Sequence, residues 1–163
     1  MTTAVYTGSF DPITLGHLNL IKRASRVFDR VIVCIMFNKD KNPLFTMEER
    51  VRQVTAVTRR FPNVEVDSSD MLVAEYARMK GAGVVVRGLR AVSDYEKECQ
   101  MALINKRLNP ELETFFLPAS EKYMYLSSSA VKELALFGAD LGAFAPREII
   151  GEIEAKFNAK GRK

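Results

Sequence analysis

The run Val31-Ile32-Val33-Cys34-Ile35-Met36-Phe37 contains no polar side chain and is rich in β-branched ones. A strand with one wet face alternates apolar and polar residues. An unbroken apolar run is instead buried on both faces, as happens in parallel sheets whose crossover helices cover both sides. This stretch alone predicts an α/β layered fold with a parallel partner strand, and Ala4-Val5-Tyr6 is the nearest candidate for that partner.

The rest of the chain supplies the alternation such a sheet requires. After the first strand, Leu18, Leu20, Ile21, Ala24, Val27 and Phe28 recur at helical spacing. A polar loop, Asn38 to Pro43, follows the second strand, and Thr46-Met47-Glu48-Glu49 has the form of a capping box opening a helix with an inward stripe of Met47, Val51, Val54, Val57 and Phe61. Val64-Glu65-Val66 reads as a short strand. Asp70 is placed to cap a helix bearing Leu72, Tyr76, Ala77 and Met79 that stops at Gly81. Val84-Val85-Val86 forms the next strand, Ser93-Asp94-Tyr95-Glu96 a second capping box with a helix to about Leu108, and Glu113 to Leu117 the last strand. Two helices close the chain. One starts at Ser127-Ser128-Ser129 with Val131, Leu134 and Ala135 inside and ends near Gly138; the other opens at Pro146 and buries Ile149, Ile150, Ile153 and Phe157. Strands alternating with helices through short loops predict right-handed crossovers and a single-domain, doubly wound parallel sheet of the Rossmann-like kind over residues 1–163, with 158–163 as a frayed basic tail.

Charge and cysteines narrow the classes of function. The net charge of +4 raises nucleic acid as a partner, but part of the excess sits in Lys160-Gly161-Arg162-Lys163, a solvated tail on this reading. Anionic small substrates use the same charge, so no nucleic-acid partner is expected. No apolar run approaches the roughly 20 residues of a membrane span, and the N-terminus lacks the pattern of a signal peptide, so a cytoplasmic location and no membrane contact are expected. Cys34 and Cys99 fit small buried apolar residues better than a disulfide, and with one histidine a zinc site is not expected.

The chemistry is predicted to lie where strands end. The turn Tyr6 to His17 joins the first strand to the first helix, and a helix N-terminus at a strand's carboxyl end offers unpaired N–H groups to a phosphate. Gly8 and Gly16 allow tight bends, Pro12 fixes the turn and Asp11 is suited to tying it. His17 stands at the helix mouth and should tend to its neutral form, Ser9 is placed to position a phosphate, and Phe10 reads as core. Lys41 follows the second strand and is a candidate point charge on a transferring phosphate. Arg87 directly follows an apolar strand, where charge is costly unless it meets a ligand or a partner, and Gly88 and Arg90 continue that turn. Ser127, Ser128 and Ser129 offer hydroxyl and N–H groups at a second helix start, and Glu98 reads either as a ligand to ribose or ammonium or as a surface charge.

Gly8-Ser9-Phe10-Asp11-Pro12 with Thr14-Leu15-Gly16-His17 resembles the signature of the nucleotidylyltransferase superfamily. Arg87-Gly88-Leu89-Arg90, Asp94-Tyr95-Glu96, Glu98, Asn105 and the stretch Tyr123 to Ser129 narrow the resemblance to the phosphopantetheine adenylyltransferase family, over nearly the entire chain. The resemblance implies transfer of the adenylyl group of ATP to 4′-phosphopantetheine, giving dephospho-coenzyme A and pyrophosphate in coenzyme A biosynthesis. It also implies Mg²⁺, a homohexamer and coenzyme A as a candidate feedback ligand.

Carried over by motif, Ser9, Lys41, Val73 and Arg87 contact the phosphopantetheine. ATP falls to Ser9, Phe10, His17, Gly88, Leu89, Arg90, Glu98, Tyr123, Met124, Tyr125, Leu126, Ser127, Ser128 and Ser129, with His17, Lys41 and Arg90 as the catalytic set. Thr7 stands where the family usually has proline, Ser9 where threonine is common, Asn42 where a second lysine is frequent and Lys97 where an aromatic is usual. Neither cysteine reads as an activated nucleophile, so direct in-line attack is expected. Two rival readings stand beside this one: a nucleotidylyltransferase acting on nicotinamide mononucleotide or glycerol 3-phosphate, and a non-catalytic nucleotide- or RNA-binding module.

Overall fold

A computed structural model describes residues 1–37 and 42–158. Its centre is a five-stranded, wholly parallel sheet built from β1 (Thr3–Gly8), β2 (Arg30–Met36), β3 (Val64–Ser69), β4 (Val84–Leu89) and β5 (Glu113–Pro118), in the spatial order β3-β2-β1-β4-β5. Between and after them run α1 (Leu15–Val27), α2 (Met47–Thr58), α3 (Val73–Met79), α4 (Val92–Leu108), α5 (Ser128–Leu136) and α6 (Arg147–Asn158). The chain builds outward from β1 to β3, crosses back, and builds outward again from β4. The order reverses between β1 and β4, and a crevice opens at such a switch point beyond the carboxyl ends of the strands.

The apolar run that anchors β2 behaves as its composition demands. Val31, Val33 and Ile35 join a large core with Ala4 and Tyr6 of β1 and with residues of α1, α2, α5 and α6. Ile32 and Cys34 face the opposite way, into a smaller core with Val5, Val85 and the α3 residues Ala74, Tyr76 and Ala77. The period-two alternation of a strand thus feeds two cores, one on each face of the sheet.

Local sequence signals succeed unevenly. Thr46 and Glu49 form the expected capping box: Glu49 N–H donates to Thr46 Oγ1 at 3.2 Å, and Thr46 N–H to Glu49 Oε2 at 2.8 Å. The box expected at Ser93 to Glu96 is absent. Helix α4 starts two residues earlier, with Ala91 in the capping position, and Asp94 instead accepts from the Arg90 backbone N–H at 3.2 Å. Leu72 rather than Asp70 occupies the position before α3, and Leu72 and Met79 face solvent. Strand β3 runs on to Ser69, because Ser68 and Ser69 continue the ladder with Ile35 and Met36. Val27 is 67% exposed, beyond the buried stripe of α1. Helix α6 reaches Asn158, so the tail expected from residue 158 begins no earlier than 159, outside the described residues.

Candidate active site

A cleft of about 580 Å³ lies at the switch point, a size usual for a small-molecule site. The register explains what meets there. Tyr6 pairs with both Val33 and Val86, so Thr7 and Arg87 lie side by side one residue further on. Arg87 Nη1 donates to the Thr7 carbonyl at 2.8 Å and makes a 3.1 Å hydrogen bond with Thr7 Oγ1, so Thr7 helps to hold this arginine. Across the cleft floor Arg87 makes a two-pronged pair with Glu98 of α4, at 2.6 and 2.7 Å. Burial opposes the arginine's charge, but the Glu98 carboxylate outweighs it and leaves the guanidinium pKa above its ordinary value. Glu98 is therefore not a surface charge: it lines the cleft and is the counter-ion that lets Arg87 stand beyond the buried part of its strand.

Two helix N-termini converge on the same space. In α1, Thr14 is the N-cap: His17 N–H donates to Thr14 Oγ1 at 3.2 Å, and Thr14 N–H donates to His17 Nδ1 at 3.1 Å. With Nδ1 accepting, the neutral ring carries its proton on Nε2, where it can donate to a ligand oxygen. The ring stacks edge-on against Phe10, centroids 5.1 Å apart. Burial, reinforced by the positive Arg90 and Arg87, pushes the imidazole down to a pKa of about 4, so the ring is neutral at physiological pH, as expected of a histidine in this position. In α5, Ser127 caps the helix by accepting from Ala130 N–H at 3.1 Å, and Ser128 Oγ donates to the Pro12 carbonyl at 2.8 Å. The hydroxyls of Ser127 and Ser128 are thus engaged structurally. The start of α5 still offers its first-turn backbone N–H groups, with the Ser129 side chain beside them on the cleft wall.

Arg90 reaches the other side of this serine turn and donates to the Leu126 carbonyl at 2.9 Å, with Asp94 3.6 Å away. Asp11 does not tie its own turn as its position suggests. Its carboxylate accepts from the Leu44 and Phe45 backbone N–H groups, each at 2.9 Å, and meets Lys132 of α5 at 3.3 Å, joining three segments. Phe10 is buried as expected, but with φ at 45° it occupies the left-handed region that side chains disfavour, a conformation found where the surroundings enforce it. Gly88 packs closely on α1: a Cβ there would press on the Leu20 side chain, which would have to shift.

The fold thus brings Ser9, Phe10, His17, Arg87, Gly88, Arg90, Glu98, Tyr123, Leu126, Ser127, Ser128 and Ser129 to one cleft. Leu89, Met124 and Tyr125 do not line it; Tyr125 packs edge-on against Phe144 instead. Val73, the first residue of α3, packs against the smaller core. Lys41 lies outside the described residues. Arg50 and Lys132 line the cleft without any sequence signal beyond their charge, since each lies inside a helix far along the chain from the turn it meets. Among the described residues no group of three or more metal-binding side chains occurs. Among the described residues the cleft's carboxylates, Asp11, Asp94 and Glu98, are each held by a cation.

A parallel sheet in this strand order, with two helix N-termini and several cations around a neutral histidine at its switch point, suits a nucleotide-handling enzyme, and the cytidylyltransferase-like family model, of the nucleotidylyltransferase superfamily, matches residues 5–134. Among solved structures, the nicotinic acid mononucleotide adenylyltransferase of Plasmodium falciparum, complexed with NaAD, superposes with a TM-score of 0.67 over 96% of both chains at 15% identity, a likeness of fold alone. Curated relatives are far nearer in sequence. The phosphopantetheine adenylyltransferases of Caldanaerobacter subterraneus and Alkaliphilus metalliredigens are 50% and 51% identical over 96% of this chain, covering 98% and 99% of their own lengths. The chain belongs to the phosphopantetheine adenylyltransferase family, a family of nucleotidyltransferase enzymes.

Proposed function

We propose that this cleft moves the adenylyl group of ATP onto the phosphate of 4′-phosphopantetheine, releasing pyrophosphate and forming dephospho-coenzyme A. The observation that carries the reading is His17, locked as a neutral Nε2–H donor between two helix N-termini that suit anions. The acceptor phosphate is already an anion and needs no base, so the work left to the protein is positioning and charge stabilisation. In the proposed step the acceptor oxygen attacks the α-phosphorus in line as the bond to the pyrophosphate oxygen breaks. His17 and Lys41 stabilise the charge at the α-phosphate, while Arg90 and the Ser127 to Ser129 turn hold the β- and γ-phosphates. Ser9 and Arg87 hold the acceptor.

The engaged state of the cleft carboxylates suits Mg²⁺ arriving as a complex with ATP, held by phosphates and water, and Mg²⁺·ATP is the nucleotide substrate in this proposal. Coenzyme A, which carries the phosphopantetheine arm, competes for the same cleft. A homohexamer is part of the proposal, supported by the apolar residues that α4 leaves exposed. A cytoplasmic location is part of it too; no helix among the described residues is long and apolar enough to cross a membrane.

The test is turnover with Mg²⁺ and ATP, following pyrophosphate and dephospho-coenzyme A together, with nicotinamide mononucleotide and glycerol 3-phosphate (with CTP) as competing acceptors. Turnover with phosphopantetheine alone is the expected result. Turnover only with another acceptor overturns the substrate, and no turnover by folded protein that still binds ATP overturns the reaction.

A further inference from the structure

Four cations among the described residues line the cleft, and three have a carboxylate there: Arg87 with Glu98, Arg90 with Asp94, and Lys132 with Asp11. The fourth, Arg50 of α2, has none among the described residues, although it is only 4% exposed. Burying a charge is costly unless it is paired and hydrogen-bonded. The guanidinium is partly satisfied by backbone: Nη1 donates to the Ser9 carbonyl at 2.9 Å and Nε to the Thr46 carbonyl at 3.3 Å. Nη2 has no hydrogen-bond partner among the described residues. A group with five N–H donors has therefore engaged two and lies on the wall of a cleft built for anions.

The bond to Ser9 has a second consequence. The Ser9–Phe10 peptide is trans, so with the Ser9 carbonyl turned to Arg50 the Phe10 N–H points the opposite way. Phe10 itself sits in the left-handed region at φ 45°, and the Arg50 bond to the preceding carbonyl helps to hold it there. Arg50 thus fixes the backbone of the turn that carries Ser9.

We propose that Arg50 binds a phosphate oxygen of the substrate beside Ser9 through its unpartnered nitrogen, while Nη1 braces the Ser9 carbonyl. The inference rests on the reading of the cleft as a phosphate-transfer site. The shared chemistry is a phosphate oxyanion, supplied either by the acceptor or by ATP.

Equilibrium binding of ATP, of 4′-phosphopantetheine and of pantetheine, which lacks the phosphate, separates those sources in Arg50→Gln and Arg50→Lys. These measurements need no turnover, so the proposal can fail independently of the proposed reaction. In Arg50→Gln, affinity for one or both phosphate-bearing ligands falls about tenfold to a hundredfold, as expected for loss of a charge-assisted hydrogen bond, while pantetheine binds as to the parent protein. The ligand whose affinity falls identifies the phosphate held. Arg50→Lys keeps the charge but not the fork, so it recovers part of the lost affinity. Parental affinity for ATP and phosphopantetheine in Arg50→Gln overturns the proposal, and so does an equal loss for pantetheine, the mark of a merely structural role. If the glutamine variant does not fold, the lysine variant is judged on the same contrast between phosphopantetheine and pantetheine.

Discussion

His17 shows how a single residue acquires its chemistry from its neighbours. The Thr14 N–H claims Nδ1, burial first and then Arg90 and Arg87 discourage a second proton, and Phe10 packs against the ring. Because it is the only histidine in the chain, its ring signals need no assignment in an NMR titration of the free protein. They are expected to shift with a midpoint near pH 4, and a midpoint near the ordinary 6.5 contradicts the environment described. The sign for stability follows. The unfolded chain binds this proton below about pH 6.5 and the folded chain only below about 4, so stability rises with pH between those values. This residue's contribution is complete above 6.5 and is lost as pH falls through that window. The histidine and the serine turn were legible because their motifs are contiguous. Arg50 was not, because its partner Ser9 lies 41 residues away, and neither was the Thr7 contact to Arg87, which depends on the alignment of two strands.

At the scale of elements, the apolar run of β2 and the capping box of α2 were readable because each carries its cause within a few residues. Ser93 to Glu96 has the composition of such a box, but Asp94 turns back to Arg90 four residues earlier, and this local contact starts the helix upstream of the box. Helix α4 resists a reading by periodicity for a further reason. Its apolar residues do not gather on one face, and only Asn105 is buried, while Leu103 is 70% exposed and Met101 and Ile104 are exposed beside it. A helix that leaves its apolar side chains this uncovered fits a surface shared between copies, the homohexamer of the proposal. Light scattering is expected to find six chains in the parent protein and a smaller assembly in Met101→Glu/Leu103→Glu. A monomeric parent protein contradicts this reading of α4.

On the scale of the whole molecule, topology does what no single motif could. The reversal of strand order between β1 and β4 places residues from the beginning, middle and end of the sequence around one cleft. The parallel sheet followed from alternation in the sequence, and the placing of the site from the rule that ligands gather at strand ends. The counter-ions did not follow, because which carboxylate meets which cation depends on how α4 and α5 pack. The cleft that results has its carboxylates held by its own cations and its neutral histidine turned to donate, an arrangement suited to stabilising charge that develops on a phosphate. The most direct test is His17→Ala, with kcat and the ATP dissociation constant measured on the same preparation. The account predicts a fall in kcat of about a hundredfold to a thousandfold with ATP binding changed by less than about tenfold, the pattern of a group that acts mainly in the transition state. Equal losses in both would place His17 in ground-state binding and contradict the account.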